Sequence, residues 1–414
     1  MSGMASILLE LGASVSGSDL KESSTTTRLV VQGAKISIGT HQAEHIPSGC
    51  DLVIFSSAVN PTNKEYIEAK AQNIRLVRRG IFLAELAKGF TSTIAVSGSH
   101  GKTTTTAMLV HIFKSCGLDP AYMIGGSVIG NGANASAGDQ TVFITEIDES
   151  DGTQAFFKPH ISLILNIEDD HAWSAGGVKA LFESFQSVAR VSNHCFAWKS
   201  HDTTKLLSPF SSVEFIDQAD IPNQLEVPQI GLHNLIDATM AMKAALAYGL
   251  DQTQIIDALS TFPGVKRRMT THGKDESRNL ILLEDYAHHP TELDFLYHAL
   301  RGVSQGKELA IIFQPHRYER VKRYHKEFSE VLAKFDKVIL VPPFAAWKQD
   351  SALADPKLLL VDSDPEKVKY CEKPLTTVPQ LALDFFPTTN AIIAVVGAGD
   401  VASIIPELKN KLEL

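Results

Sequence analysis

Apolar and polar positions alternate in short blocks along the whole chain, and the blocks switch repeatedly between a helical and an extended period. Met4 to Leu11 reads as a helix, whereas Ala13 to Ser16, Asp51 to Ser56 and Ile74 to Val77 read as strands. That rhythm predicts a small Rossmann-like parallel α/β domain over residues 1–90. The chain opens on the helix, so the first strand of such a domain and its glycine turn are expected to be missing. A second block, residues 91–260, begins with a β-rich run from Thr93 to Ser97 and passes through a glycine loop into a helical run from Thr103 to Ser115. Apolar strands follow at Val142 to Thr145 and Ile161 to Leu165, with helices at Ala238 to Tyr248 and Gln252 to Leu259. Thr261-Phe262-Pro263-Gly264 breaks the pattern. The third block, residues 261–414, alternates again, with strands at Leu280 to Leu283, Leu309 to Phe313, Val338 to Val341 and Ile392 to Val396. It predicts a second Rossmann-like parallel sheet.

A chain of 414 residues is too long for one ordinary core and agrees with that division. Its 44% hydrophobic and 21% charged residues are those of a globular protein without long disorder. The net charge of -9 argues against nucleic acid as a partner, although a local basic site can still hold phosphate. Cys50, Cys116, Cys195 and Cys371 are far apart and form no metal or disulfide spacing, which suits reduced thiols in a cytoplasm. No run of about 18 apolar residues could span a bilayer, so no membrane insertion is expected. Bulk properties leave the oligomeric state open between monomer and homodimer.

Candidate chemistry concentrates in Gly98-Ser99-His100-Gly101-Lys102-Thr103-Thr104. Between a strand and a helix, such a turn directs backbone N–H groups and the positive helix end at phosphate oxygens. Lys102 is then placed for the β- and γ-phosphates of ATP, and the Thr103 hydroxyl for Mg2+. Val96 stands where the full Walker pattern has its first glycine, so the loop is a shortened G-x-x-G-K-T form. Magnesium needs further oxygen ligands, and Glu146, directly after a buried strand, is the best-placed acid. Asp148, Glu149 and Asp151 read equally well as ligands or as a solvated acidic loop. His171, after the next apolar strand, is a candidate nitrogen ligand. Gly17-Ser18-Asp19 ends an early strand with an acid but lacks the preceding glycine fingerprint of a dinucleotide site.

In this order along the chain, the phosphate loop, Thr145 to Gly152, Asn166 to His171, Gly231-Leu232-His233-Asn234, Phe262 to Arg268, Asp285 to Glu292 and Phe313 to Tyr318 resemble the Mur ligases. The resemblance implies three domains: a UDP-sugar domain, a central P-loop ATPase domain, and a C-terminal domain that closes over the nucleotide and receives an amino acid. It implies ATP and Mg2+ as cofactors and, as substrates, UDP-N-acetylmuramate and a small L-amino acid. The substrate carboxylate would attack the γ-phosphate, and the amine would then attack the resulting acyl phosphate. By the same resemblance Lys102, Arg268, His289, His316 and Arg317 are catalytic, and the phosphate loop with His233 and Asn234 binds ATP. Thr103, Glu146 and His171 hold metal, while Asp19, Ser57, Arg317 and Arg320 bind substrate. The runs Pro315-His316-Arg317-Tyr318 and Asp285 to His289 look like the branch that adds L-alanine. Asp237 departs from the family, which has a second adenine-side asparagine there, and Ala172-Trp173 replaces a segment carrying an aspartate.

Other protein classes share parts of this pattern. A P-loop GTPase or kinase would carry the same loop, but no guanine-specific Asn-Lys-x-Asp segment is present and a kinase has no need of the downstream histidines and arginines. A tripeptide-recycling ligase shares the aspartate-histidine segment. A homologue that binds nucleotide or sugar without turnover would keep the loop and lose the ligation.

Overall fold

The computed structural model describes residues 1–414 except Asn131, Asp151, His171, 173–175, 346–354 and 361–363, and except the side chain of Leu360. The chain divides into two compact units, Met1–Pro228 with Leu235–Pro263, and Gln229–Asn234 with Gly264–Leu414.

The first unit starts with α1 (Ser2–Glu10), β1 (Ser16–Asp19), α2 (Ser24–Val31), β2 (Lys35–Ile38), β3 (Leu52–Phe55), α3 (Lys64–Ala71), β4 (Arg75–Arg78) and α4 (Arg79–Ala87). The strands are parallel, as the sequence suggests, and lie in two pairs, β1 with β2 and β3 with β4. A strand does not cover Ala13 to Ser16. Gly12 at φ +85° closes α1, and the N–H groups of Gly12 and Ala13 bond back to Leu9 and Leu8, so the extended run begins only at Ser16. Helix α1 is fastened to the central sheet, because Gly3 lies so close to Met123 that an added Cβ would sit 2.9 Å from its side chain.

The same unit continues through β5 (Ser92–Ser97), α5 (Lys102–Ser115), β6 (Ala121–Met123), β7 (Ala135–Ser136), β8 (Val142–Glu146) and β9 (Ile161–Ile164). It closes with α6 (Val178–Val191), β10 (His194–Trp198), α7 (His201–Leu207), β11 (Val213–Ile216), α8 (Leu232–Tyr248), which belongs to this unit from Leu235 onward, and α9 (Gln252–Ser260). Seven strands assemble in the order β11-β10-β9-β5-β8-β6-β7, parallel except for the β6–β7 pair. Buried runs such as Ile94 to Val96 and Val142 to Ile144 are continuous rather than alternating, as a parallel sheet covered on both faces requires. Strand β5 lies between β8 and β9, with Val96 opposite Glu146 and Ser97 opposite Ile164. This register delivers Glu146 and the segment after Ile164 to either side of the glycine loop.

The second unit contains β12 (Thr270–Asp275), β13 (Leu280–Asp285), α10 (Pro290–Val303), β14 (Glu308–Phe313), α11 (Tyr318–Arg323), α12 (His325–Leu332) and β15 (Lys337–Leu340). After these come β16 (Val368–Tyr370), α13 (Val378–Phe385), β17 (Ala391–Val396) and α14 (Ile405–Lys411). The sheet order is β12-β13-β17-β14-β15-β16, with only β12 antiparallel to its neighbour among the described pairs. Along β17 the side chains divide with period two: Ile392, Ala394 and Val396 enter the core on one face, and Ala391, Ile393 and Val395 the core on the other. Asp285, Val396 and Phe313 are level across three strands, so the loops that follow them meet at the carboxyl edge of the sheet. Open α/β sheets bind their ligands at that edge.

Candidate active site

The candidate side chains fall into two groups, one in each unit. In the first, β5 ends at Ser97 and the loop turns through Gly98 at φ +141° and Gly101 at φ +84° into α5. A Cβ on Gly101 would stand 2.6 Å from Asp237 Oδ1 and 3.0 Å from Leu165, so glycine is required by space as well as by φ. No side chain caps α5, which leaves its first N–H groups for an anion. The loop is held from the β9 side: the His100 N–H donates to Asn166 Oδ1 at 2.8 Å, Asn166 Nδ2 donates to the His100 carbonyl at 3.1 Å, and the Glu168 N–H donates to Ser99 Oγ at 2.8 Å.

Lys102 Nζ donates to both carboxylate oxygens of Glu149, at 2.8 and 3.0 Å, and also to the Ser99 carbonyl at 3.3 Å. Burial acts to lower the Lys102 pKa, but the carboxylates of Glu149, Asp148 and Glu146 outweigh it and hold the ammonium above its ordinary value. Burial pushes Glu149 up to about 7 against the pull of Lys102. Glu146 is also raised by burial, although it accepts from the Gly125 N–H and from Thr103. Asp148 is held low, since Lys102 and Arg79 overcome its desolvation; Arg79 stands 3.3 Å from it.

Thr103 Oγ1 is 3.0 Å from Glu146 Oε2. A hydroxyl and a carboxylate of this kind are hard oxygen donors that fit Mg2+, with water completing its shell. His171, the third expected ligand, lies outside the described residues. Asp19 and Ser57 stand where sugar-nucleotide contacts were expected, at the carboxyl ends of the two parallel pairs: Asp19 is exposed and closes β1, and Ser57 is exposed in the turn after β3.

In the second unit the loop after β13 and the start of α10 gather the other expected residues. His289 caps α10, and its ring lies edge-on to Tyr324 with centroids 4.6 Å apart. Arg268 Nη1 is 3.6 Å from Glu292, and its guanidinium lies 5.1 Å over the Tyr286 ring. The neighbouring Arg267 is occupied differently, bonding Glu284 at 2.7 Å and the Gly397 carbonyl at 2.9 Å from a backbone at φ +64°. His316 stacks on Phe344 and meets His288 edge-on, each at 5.7 Å between centroids. Arg320 Nη1 donates to the His316 carbonyl at 3.2 Å, and Arg317, at φ +70°, donates its N–H to the Phe344 carbonyl at 2.9 Å. Left-handed backbone at non-glycine residues costs about 1–2 kcal/mol each, and here it sits beside the clustered cations.

His233 and Asn234 open α8 and belong to this same unit. The His233 ring is 5.6 Å from Phe295, and burial together with Arg268 drives its pKa down to about 4, against Glu292. Asn234 is buried and donates to the Ile230 carbonyl at 2.7 Å.

Nothing in the sequence marks Asn166 or Arg79, or sets Glu149 above its acidic neighbours. Glu292 ends the Asp285 to Glu292 run but is given no role there, although a first-turn acid four residues after His288 is a spacing that brings two side chains together.

Comparison with known proteins extends over the whole chain. Residues 1–91 match the Mur ligase family catalytic domain, 96–193 the Mur ligase middle domain, and 267–399 the Mur ligase glutamate ligase domain. The UDP-N-acetylmuramate--L-alanine ligase of Desulforamulus reducens is 35% identical over 451 aligned positions, covering 100% of this chain and 96% of that protein. The enzyme of the same name from Thiobacillus denitrificans is 32% identical, covering 99% and 95%. Among solved structures, the UDP-N-acetylmuramate-alanine ligase of Thermotoga maritima superposes with a TM-score of 0.83 at 24% identity, covering 100% of this chain and 96% of that one. A murein peptide ligase from Psychrobacter arcticus gives 0.71 at 20% identity, covering 100% and 96%.

Proposed function

Because the chain belongs to the Mur ligase family, we propose that it joins L-alanine to the lactyl carboxylate of UDP-N-acetylmuramate at the expense of ATP, a step of peptidoglycan synthesis. The observation that carries this reading is the Gly101-Lys102-Thr103 turn beside Glu146, on a chain that aligns from end to end with L-alanine ligases. We assign residues 1–90 to the sugar nucleotide, 91–260 to ATP and 261–414 to the ligase domain, and the cytoplasm as the compartment. Among the described residues no helix is long and apolar enough to cross a membrane.

A carboxylate resists an amine because it is itself anionic, and direct condensation in water is uphill. Transfer of the γ-phosphoryl group to the lactyl carboxylate gives an acyl phosphate and releases ADP. The amine of L-alanine then adds to the acyl carbon, and phosphate leaves as the amide forms. Two anions must meet in the first step, so the demand on the protein is electrostatic and positional. Lys102 and the uncapped start of α5 serve the triphosphate, with Gly98, Ser99, His100 and Thr104 shaping the loop and His233 and Asn234 on the adenine side. Magnesium, held by Thr103 and Glu146, would neutralise charge on the phosphates. Arg268, His289, His316, Arg317 and Arg320 receive the acyl phosphate and the amino-acid carboxylate, for which arginine's planar fork is suited.

The test is phosphate release by the purified chain with each component withheld in turn. Release is expected only with ATP, Mg2+, UDP-N-acetylmuramate and L-alanine together. Undiminished release without the sugar nucleotide contradicts the reading.

A further inference from the structure

Glu292 is the third residue of α10 and nearly enclosed, with a side chain 9% exposed. Its two oxygens face different partners. Oε1 lies 3.6 Å from Arg268 Nη1, while Oε2 accepts the His288 N–H at 2.9 Å and stands 3.1 Å from His288 Nδ1. The His288 Nδ1 atom is also 3.0 Å from the Tyr286 carbonyl. A carbonyl and a carboxylate can only accept, so both contacts require the proton on Nδ1. Burial keeps the ring neutral, with a pKa down to about 3 despite Glu292. Nε2 is therefore the acceptor of the imidazole.

We propose that Glu292 is a positioning residue for the ligation: one carboxylate aims the Arg268 guanidinium and fixes His288 as the Nδ1–H tautomer, presenting a directed cation and a neutral acceptor to the reacting groups. This rests on the ligase reading above. A plainer role is open to Glu292, since an acid in the first turn stabilises a helix by itself. The two roles differ in what an amide can replace. If the oxygen of a glutamine at this position takes the two His288 contacts, its NH2 group faces Arg268; turned the other way, it faces the two His288 donors. Either orientation opposes donor to donor, whereas a first-turn glutamine remains compatible with the helix.

The experiment combines two readouts. Nitrogen NMR of the wild-type chain is expected to show His288 protonated at Nδ1; a proton at Nε2 overturns the proposal and needs no variant. Glu292→Gln is expected to lower kcat at least about tenfold with the KM for UDP-N-acetylmuramate unchanged, and to cost less than about twofold further in an Arg268→Lys background. Wild-type kcat in Glu292→Gln, or equal factors in both backgrounds, overturns it. A wild-type chain that folds yet ligates nothing sinks the ligase reading instead and leaves the tautomer measurement standing.

Discussion

Lys102 and the buried Glu149 form an ion pair at the mouth of the phosphate loop, Nζ to Oε2 2.8 Å, with the lysine side chain 16% and the carboxylate side chain only 1% exposed. The lysine proposed to meet the triphosphate is thus already held by an anion. An arriving phosphate must share it, and the cost of sharing depends on whether Glu149 is charged.

ATP affinity should therefore depend on pH through Glu149, whose pKa is about 7. Protonation below that value removes the competing charge, so binding strengthens as pH falls from 8 towards 6. Titration calorimetry on wild type and Glu149→Gln separates this from protonation of ATP itself. The variant should bind as the wild type does at the acid end and lack the difference above pH 7. Parallel curves for the two proteins would dismiss Glu149 as the source.

Replacing Lys102 by alanine should abolish turnover, by a factor of about 100 to 1000 or more, because a fixed positive charge at a transferring phosphoryl group is worth that much. The fold should survive, since Glu149 can take up a proton once its partner is gone. Circular dichroism with a phosphate-release assay checks both halves. A folded variant that keeps its rate takes the loop out of the chemistry.

Gly101→Ala brings a Cβ to 2.6 Å from Asp237 Oδ1 at φ +84°, where a side chain costs about 1–2 kcal/mol even without the clash. The loop must shift, so nucleotide binding should be lost and the melting temperature should fall. Unchanged melting and affinity would mean that Gly101 does not face Asp237 across a tight turn.

Acid should loosen the second unit through its neutral histidines. His288 and His233 are pushed down to about 3 and about 4 by burial, so in the unfolded chain they bind protons near their ordinary 6.5 while the folded chain does not. The stability this contributes is full above pH 6.5 and is lost as pH falls towards 4. Differential scanning calorimetry from pH 7 to 4.5 should show the loss, and His288→Asn should shrink it. An equally steep fall in that variant points elsewhere.

Much of the loop site was legible because it is local: strand, glycine turn and helix lie within one stretch from Ser92 to Ser115, and backbone geometry alone decides what the turn can hold. The place of Glu146 was legible for the same reason, since it is the last residue of the buried strand β8. Glu149 was not, since only the fold distinguishes it from its acidic neighbours by bringing it to Lys102 and away from water. The difference between Arg267 and Arg268 was equally hidden, because it depends on Glu284 and Gly397, which register across the sheet brings near. In the N-terminal region the periodic pattern identified the elements but misplaced β1, whose Ser16–Asp19 carries no large apolar side chain to mark it.

In the proposed mechanism the lactyl carboxylate is phosphorylated before L-alanine attacks. Ligation run with UDP-N-acetylmuramate carrying heavy oxygen in that carboxylate tests it directly by mass spectrometry of the released phosphate. Passage through an acyl phosphate transfers one heavy oxygen to each phosphate formed, and that is the expected result. Unlabelled phosphate, released alongside amide product, would contradict it.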